Sequence, residues 1–570
     1  MRSIGLEAAI VVLAAWTMTA WFAGWPSGIP AWVPFSLGLV AAIVRFGVIE
    51  RPRLPRPSVE TLACVGVAVL FRLPALLHPW GWVNKEGAYG AFVTLRILEG
   101  TRPVTPFTEG ANYQGTLKSH LAALLWVVSH DLSWLMLAAS LVLHLVFLVA
   151  TMALARRIGG RWAALLAGLY LALSPRFLTV FTLNCVGQYA DVLALGGAAL
   201  ALLAVVLDDD RHGAAARGHY LGIGLLVGAA FWQQPVAVSY IVTVAVLLAL
   251  RARTWRDPWT LLVLAGGFVG TLPSLLWNVQ NHWGSGAIMG GDPDALRGQI
   301  ELLPRLLRRT FTIAYPILAG LSPDLPWADA PPLRIAAIAL IPLSVVLYGW
   351  RYRRDLGRFL RGTPPSSWIP VLLLVVCTAI FLSFASGRVY WRPRYLLPVM
   401  AALAVQLACV LAWIAARSRT VAAVLLAGVL ALNISGTWPR LQESAGLADY
   451  YERLVRSLED KSIHTGYATF SLSAPVTMFT AERIVLSPRL DALPSYEPAR
   501  HAQRVDTAGA DVYLLPPEDE WRAFAARLDA LGVTYRLDRE PVPTFYGFSR
   551  RVELHEVADF RTGPMIPERE

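Results

Sequence analysis

The chain has 570 residues, of which 56% are hydrophobic, 11% aromatic and only 16% charged, with a mean hydropathy of +0.50. A soluble core of this size needs no such apolar composition, so the chain reads as an integral membrane protein with many spans. The net charge of +11 sits largely in short arginine-rich connections, a pattern that sets topology. It comes with no helix-turn-helix, zinc-knuckle or RNA-binding signature, so no nucleic-acid partner is expected.

Apolar runs near the span length of roughly twenty residues fall at 4–24, 30–49, 59–77, 132–155, 162–178 and 187–207. The first has a preceding arginine but no small-x-small cleavage site after it, and reads as a retained span rather than a signal peptide. The run at 220–250 is interrupted by Gln233-Gln-Pro235 and reads as two short spans. Further runs lie at 259–278, 333–350, 367–386, 395–416 and 420–436, which makes thirteen in all. The arginines support this count. Arg51, Arg53 and Arg56 share one connection, and Arg156, Arg157 and Arg161 another. Arg251, Arg253 and Arg256 form a third, the five arginines of 351–361 a fourth, and Arg417 and Arg419 a fifth. Thirteen spans with a cytoplasmic N-terminus put all five on the cytoplasmic side. Four cysteines, Cys64, Cys185, Cys377 and Cys409, each lie in or beside an apolar run with no CxxC pair. They support neither a metal site nor a disulfide framework, and read as buried hydrophobic thiols.

Three non-membrane pieces then share the outer face: a loop at 78–131, a loop at 279–332 and the tail 437–570. The second includes an amphipathic run at 299–311, with Arg305, Arg308 and Arg309, that reads as interfacial. The tail alternates predicted strands at 512–515, 533–537 and 548–554 with a helix at 518–531, a small α/β domain without a catalytic motif. No internal repeat is visible. The domain expectation is two added N-terminal spans (1–58), a transmembrane module (59–436) and an extramembrane domain (437–570).

The first loop holds the chemistry. It opens His78-Pro-Trp-Gly-Trp82, continues Val83-Asn-Lys-Glu86-Gly-Ala-Tyr89, and reaches Asn112-Tyr-Gln-Gly-Thr-Leu-Lys-Ser-His120. A loop this long inside a compact architecture is functional or disordered, and apolar helical patterns at 89–98 and 117–128 argue for structure. Glu86, among Trp80, Trp82 and Tyr89, is the leading candidate to take a proton from an attacking hydroxyl; a solvated glutamate paired with Lys85 or Arg96 is the plainer reading. Asp191 opens a later span, where an ionisable group is costly and a functional candidate; a helix N-terminal aspartate favoured by the macrodipole is its plainer reading. The connection Gly387-Arg-Val-Tyr-Trp-Arg-Pro-Arg-Tyr395 falls on the outer side yet carries Arg388, Arg392 and Arg394. That exception to the positive-inside trend suits anion binding, because the planar guanidinium grips two phosphate oxygens at once; a topology that puts this loop in the cytoplasm is the alternative reading. Gln233, Gln234 and Asn278 lie near outer span ends and suit sugar hydroxyls or broken helices. Lys118 and His120 on the second loop helix suit a phosphate or a solvated face, and His144 within a span suits packing.

Taken together, Lys85-Glu86-Gly-Ala-Tyr89, Ile97-Leu-Glu-Gly100, Tyr113-Gln-Gly-Thr-Leu117, Gly187-Gln-Tyr-Ala-Asp191, Arg394-Tyr-Leu-Leu-Pro398 and Phe479-Thr-Ala-Glu482 resemble the GT-C superfamily of polytopic glycosyltransferases. The likeness is to its protein mannosyltransferase-like and lipid A aminoarabinose transferase-like members and covers about residues 59–490. The resemblance implies an α-helical polytopic membrane fold and a polyprenyl-phosphate sugar donor. It also implies transfer to a hydroxyl on a lipid, polysaccharide or protein at the outer face of the cell (inner) membrane, with no cofactor or metal. It makes Glu86 and Asp191 the catalytic acids and gives the donor phosphate to Arg394, Arg392, Arg388 and Lys85. Tyr89, Tyr113, Gln114, Lys118, His120, Gln188 and Tyr395 become substrate contacts. One departure stands out: Lys85 occupies the position where the family usually has aspartate. The competing readings are a lipid-linked glycan flippase, which ordinarily shows internal repeats, and a non-catalytic glycan-binding membrane protein.

Overall fold

The computed structural model describes residues 58–101, 105–109, 111–209, 213–251, 256–285, 302–321, 330–383, 392–490, 498–515 and 518–557. The expected spans at 4–24 and 30–49, Arg388, and the parts of the second long loop at 286–301 and 322–329 lie outside the described residues.

Seven of the described helices are long and apolar enough to cross a membrane, which makes this a multi-pass membrane protein. Helix α1 (Val59–Leu77) is capped by Ser58, whose side chain accepts from Thr61 N. After the first loop, α4 (Leu132–Ala172) starts on Asp131, whose carboxylate accepts from Ser133 N and Trp134 N. This 41-residue stretch is two helices in line, because Gly160 sits at φ 80° and ψ −167°. That backbone is open to glycine and strained for other residues. The break falls among Arg156, Arg157 and Arg161, where the sequence puts a connection. Helices α5 (Arg176–Leu183) and α6 (Tyr189–Asp208) follow. The long run at 220–250 is broken as its sequence suggests: α7 (Arg217–Gln233) ends where Gln234 turns extended, and α8 (Val238–Leu250) restarts after Pro235. Then come α9 (Leu261–Gln280), α10 (Pro331–Arg351), α11 (Ile369–Ser383) and α12 (Val399–Ala415).

The centre of the bundle is an apolar core in which Leu148 of α4, Leu200 and Leu203 of α6, and Met400 and Leu403 of α12 are fully buried. Helices α7 and α9 approach more closely than side chains allow. A Cβ on Gly224 or Gly228 would fall on the carbonyls of Val263 and Gly267, and one on Gly266 or Gly270 on those of Leu221 and Leu225. Small residues at such spacing let two backbones touch, and Thr271 seals the contact by donating to the Gly228 carbonyl. This seam fixes the Gln233 end of α7, which matters below.

Helix α13 (Arg419–Asp460) is a single 42-residue helix, about 63 Å long at 1.5 Å per residue. Its first part is apolar and its second carries Arg440, Glu443, Asp449, Glu452 and Arg453, so one rod joins the bundle to the tail. The tail is a five-stranded sheet in the order β4-β3-β5-β7-β6. Strand β3 (Thr465–Ala468) runs parallel to both β4 (Val485–Ser487) and β5 (Val512–Leu514). Strand β7 (Thr544–Tyr546) is antiparallel to β5 and to β6 (Arg536–Asp538). Helix α14 (Phe470–Phe479) makes the β3–β4 crossover, and α15 (Ala499–Ala508) and α16 (Glu518–Ala530) complete the domain. The strand expected at 548–554 is not formed. Gly547 at φ 65° turns the chain out of β7, and Arg550 then pairs with Glu556 across a short turn of helix.

Candidate active site

The first loop is a structured cap built from α2 (Lys85–Leu98), a hairpin of β1 (Phe107–Thr108) and β2 (Ala111–Gly115), and α3 (Leu117–Leu124). Side chains from the span ends hold it down. Trp232 at the end of α7 donates to the Pro106 carbonyl at 2.8 Å, and Gln233 beside it accepts from Leu117 N, capping α3. Gly115 leaves room for that glutamine, since a Cβ there would overlap its amide. Phe107 meets Trp277 of α9 edge to face, and Gln188 donates to Thr108 at 3.4 Å. Helices α2 and α3 are tied by Ser119 donating to the Gly90 carbonyl at 2.8 Å and Thr94 donating to the Ser119 carbonyl at 3.2 Å.

Glu86 stands in the first turn of α2, where the macrodipole favours a carboxylate. Asn84 caps this helix by accepting from Gly87 N. Gly87 rests against the Asn184 carbonyl and Cys185, which sets the first turn of α2 on the segment leading into α6. In that segment Cys185, Gly187 and Gln188 all have φ between 56° and 61°, a tight left-handed turn strained at its two non-glycine positions. Across from Glu86, Pro393 starts a one-turn helix, Pro393–Leu396, that presents Arg394. The Glu86 carboxylate and the Arg394 guanidinium are 3.6 Å apart, with side chains 30% and 12% exposed. The second oxygen of Glu86 is buried and accepts no hydrogen bond among the described residues.

Three phenols surround this pair. Burial pushes the Tyr113 hydroxyl above its usual range; Tyr395 and Glu86 push the same way, while a hydrogen bond with Gln114 and the charge of Arg394 oppose it. Tyr189, the first residue of α6, lies within electrostatic reach of Arg394, Tyr395 and Glu86. Tyr189 was not singled out from the sequence, and helical spacing is the signal that would have found it. Residues two apart on a helix point about 200° apart, so Tyr189 and Asp191 cannot both face Glu86.

Asp191 faces elsewhere. It pairs with Lys118 of α3 at 3.4 Å, and both side chains are completely buried. The two expected acids therefore occupy separate places: Glu86 beside Arg394, and Asp191 behind the cap. The Lys118 side chain is completely buried against Asp191. His120 also points inward, its Nδ1 2.7 Å from the Thr116 carbonyl, and burial lowers its imidazole to about 4. Gln114 is buried in β2. Arg392 is exposed at the rim, before the Arg394 turn.

The aromatic pocket expected around Glu86 is not there. Trp80 stacks on Phe479 of α14 with centroids 4.5 Å apart, Arg440 of α13 lies over Trp82 at 4.6 Å, and Tyr89 packs on Phe92 and Phe470. These rings brace the loop against the tail: Trp80 and Trp82 precede α2, and Tyr89, one turn on from Glu86, is taken up by its packing with Phe92 and Phe470. Lys85 follows the aromatics, with its ammonium 4.7 Å from the Phe470 ring centroid. Further along α2, Arg96 and the tail residues Arg500 and His501 converge on the Glu482 carboxylate. Glu109 from the hairpin turn sits in the field of Arg96 and His501, and burial raises its carboxyl above the usual range. All four cysteines are buried free thiols. Among the described residues, no three His, Cys, Asp or Glu side chains are grouped to hold a metal ion.

Residues 116–277 match the family model described as dolichyl-phosphate-mannose-protein mannosyltransferase. The structure is similar to ArnT from Cupriavidus metallidurans bound to undecaprenyl phosphate, with a TM-score of 0.54 and 14% identity over 88% of this chain and 99% of that one. The chain carries the GT-C fold. The same Cupriavidus metallidurans protein in its apo state gives a TM-score of 0.50 at 15% identity, over 88% of this chain and all of that one. No curated protein gives a match. The matched segment of the mannosyltransferase model begins at the N-terminus of α3 and ends in α9, so it takes in Asp191 and the α7–α9 seam and leaves out Glu86 and Arg394.

Proposed function

We propose that this protein is a glycosyltransferase that moves a sugar from a polyprenyl-phosphate donor to a hydroxyl acceptor at the outer face of the cell (inner) membrane. The observation that carries the reading is the Glu86–Arg394 pair. A carboxylate with one buried, unused oxygen faces a guanidinium at 3.6 Å, ringed by phenols, at the seam between the first outer loop and the bundle. The GT-C fold supports it, as does the undecaprenyl phosphate bound by ArnT, a protein of that fold.

In this reading Arg394 changes partner. Without donor it neutralises Glu86, so neither charge stands alone in a half-buried cleft. The donor phosphodiester draws the guanidinium to its oxygens, where a bidentate contact is available, and Glu86 becomes the proton acceptor. The acceptor O–H gives its proton to Glu86 as its oxygen bonds to the anomeric carbon. The bond from that carbon to the phosphate oxygen breaks, and the electron pair leaves with the polyprenyl phosphate. Attack from the face opposite the phosphate inverts the anomeric centre. Arg394 meets the charge that develops on the leaving group, the task at which a preorganised donor is most effective. Tyr113, Tyr189 and Tyr395 line the sugar position, Arg392 stands at the rim, and the loops and tail select a lipid, polysaccharide or protein acceptor.

The test uses full-length protein in nanodiscs with a panel of polyprenyl-phosphate sugars, measuring free polyprenyl phosphate with and without membrane-extract acceptors. Release that depends on acceptor, and donor binding weakened at least about 30-fold in Arg394→Met, are the expected results. Donor binding without release from any member of the panel would overturn the reading in favour of a carrier or a binding protein.

A further inference from the structure

The buried Lys118–Asp191 pair takes no part in the chemistry above, and its geometry is unusual. Both side chains are fully buried at 3.4 Å separation. No well-aligned hydrogen bond reaches either Asp191 oxygen or the Lys118 Nζ among the described residues, although the backbone N–H groups of Lys118 and Asp191 lie near the carboxylate. Buried polar groups are nearly always hydrogen-bonded, and a buried pair without further hydrogen bonds contributes little stability compared with apolar residues of the same shape. The pair must be explained by something other than stability.

Its place in the fold supplies the explanation. Leu121 of α3 packs into a small apolar cluster with Leu143 of α4 and Ala190 and Ala194 of α6, and alanines offer α3 few features on that side to fix its register. From α3 the path to Glu86 is short: Ser119 and Thr94 tie α3 to α2 at Gly90, one turn from Glu86. A slip of α3 by one residue would move α2 by about 1.5 Å, more than the hydrogen-bond window of a general base tolerates. We infer that Lys118 and Asp191 are positioning residues, a buried charge pair that fixes the register of α3 on α6 and through it the height of Glu86 above Arg394. Setting register is the best-attested use of a buried polar pair. The kinetic half of this inference rests on the proposed role of Glu86; the register half does not.

The experiment reads both halves on full-length protein in nanodiscs. Hydrogen exchange of peptides covering residues 85–98 and 117–124 reports register, and kcat and donor KM per folded molecule report chemistry. Asp191→Asn and Lys118→Met are expected to raise exchange in both helices. They should lower kcat about 10- to 100-fold with donor KM within about threefold. The apolar double variant Lys118→Met with Asp191→Leu is expected to keep the wild-type melting temperature while exchange stays raised and kcat stays low. The charge-swapped pair, Lys118→Asp with Asp191→Lys, is expected to recover both. Wild-type kcat in the apolar double variant would overturn the inference, since the pair would then matter only by avoiding a lone charge. So would a charge swap that restores exchange protection without kcat, which would make Asp191 a chemical group. If the wild type transfers no sugar, raised exchange in the single and apolar variants still supports the register role, and unchanged exchange overturns it.

Discussion

Glu86→Gln separates the two halves of the proposed mechanism because they move in opposite directions. Glutamine keeps the size of the side chain and an oxygen that can face Arg394, but it neither attracts the guanidinium strongly nor accepts a proton near neutral pH. At 3.6 Å and an effective dielectric of about 20, the direct attraction in the wild type is about 4.6 kcal/mol. Most of this is offset by desolvation and by water reaching a carboxylate that is 30% exposed, which leaves about 1 kcal/mol net. Removing that competitor frees Arg394 for phosphate, so donor should bind as tightly as in the wild type or up to about fivefold more tightly. Loss of the general base should lower kcat by about 10²- to 10⁴-fold. Donor affinity by calorimetry on nanodiscs and single-turnover transfer from the same preparation measure the two numbers independently. A kcat within about threefold of wild type would refute Glu86 as base. Donor binding weakened tenfold or more would refute the exchange of partners at Arg394, whatever happened to kcat.

Two other variants test how the scaffold holds this site. Gly228→Val should cost roughly 1–3 kcal/mol or more, because its side chain would be driven into the Gly267 carbonyl of α9. The melting temperature should fall, and hydrogen exchange of α3 should rise with it, since α7 carries the Gln233 cap; unchanged exchange at 117–124 would show that the seam does not reach the cap. Glu109→Gln probes the loop–tail junction through pH. Burial raises the folded-state pKa of Glu109, so the unfolded chain gives up this proton first and folding stability falls as pH rises through the folded value. The glutamine variant should therefore be the more heat-resistant protein at pH 7, with the difference closing at pH 4; a less stable variant at pH 7 would mean that the attraction of Arg96 and His501 outweighs burial.

Much of the architecture was legible because it follows from local rules. Gln233-Gln-Pro235 interrupts an otherwise apolar run and ends a helix there, an arginine-flanked Gly160 ends a span, and an apolar run followed by a charged one becomes the two halves of α13. The site was legible in its parts and much less in their grouping. Glu86 and Arg394 stood out one by one, the glutamate in a long aromatic-rich loop and the arginine in a basic connection expected on the outer side, and their juxtaposition across more than three hundred residues has no sequence signal. The tryptophans near Glu86 in sequence were natural pocket candidates. Their rings are instead used by α13 and α14, elements from the far end of the chain. Lys85 illustrates the same point in a single turn of helix: adjacent to Glu86, it leaves α2 in another direction and meets Phe470 of the tail.

Asp191 is where sequence reasoning and structure diverge most usefully. An acid at the mouth of a span is costly, and the sequence offers two explanations, a helix N-terminal residue or a catalyst. The structure adds a partner that neither anticipates. Lys118 comes from a loop helix whose placement depends on Gln233, and that in turn depends on glycines packed out of sight between α7 and α9. The same loop carries Glu86. The charge that is expensive to bury thus lies where α3 meets the start of α6, beside two alanines that do little to fix its register. An acid can be indispensable to a reaction because of where it holds another acid, and in that case substitution with loss of activity does not identify a catalyst. Only a variant pair that removes both charges and keeps the fold can separate the two roles.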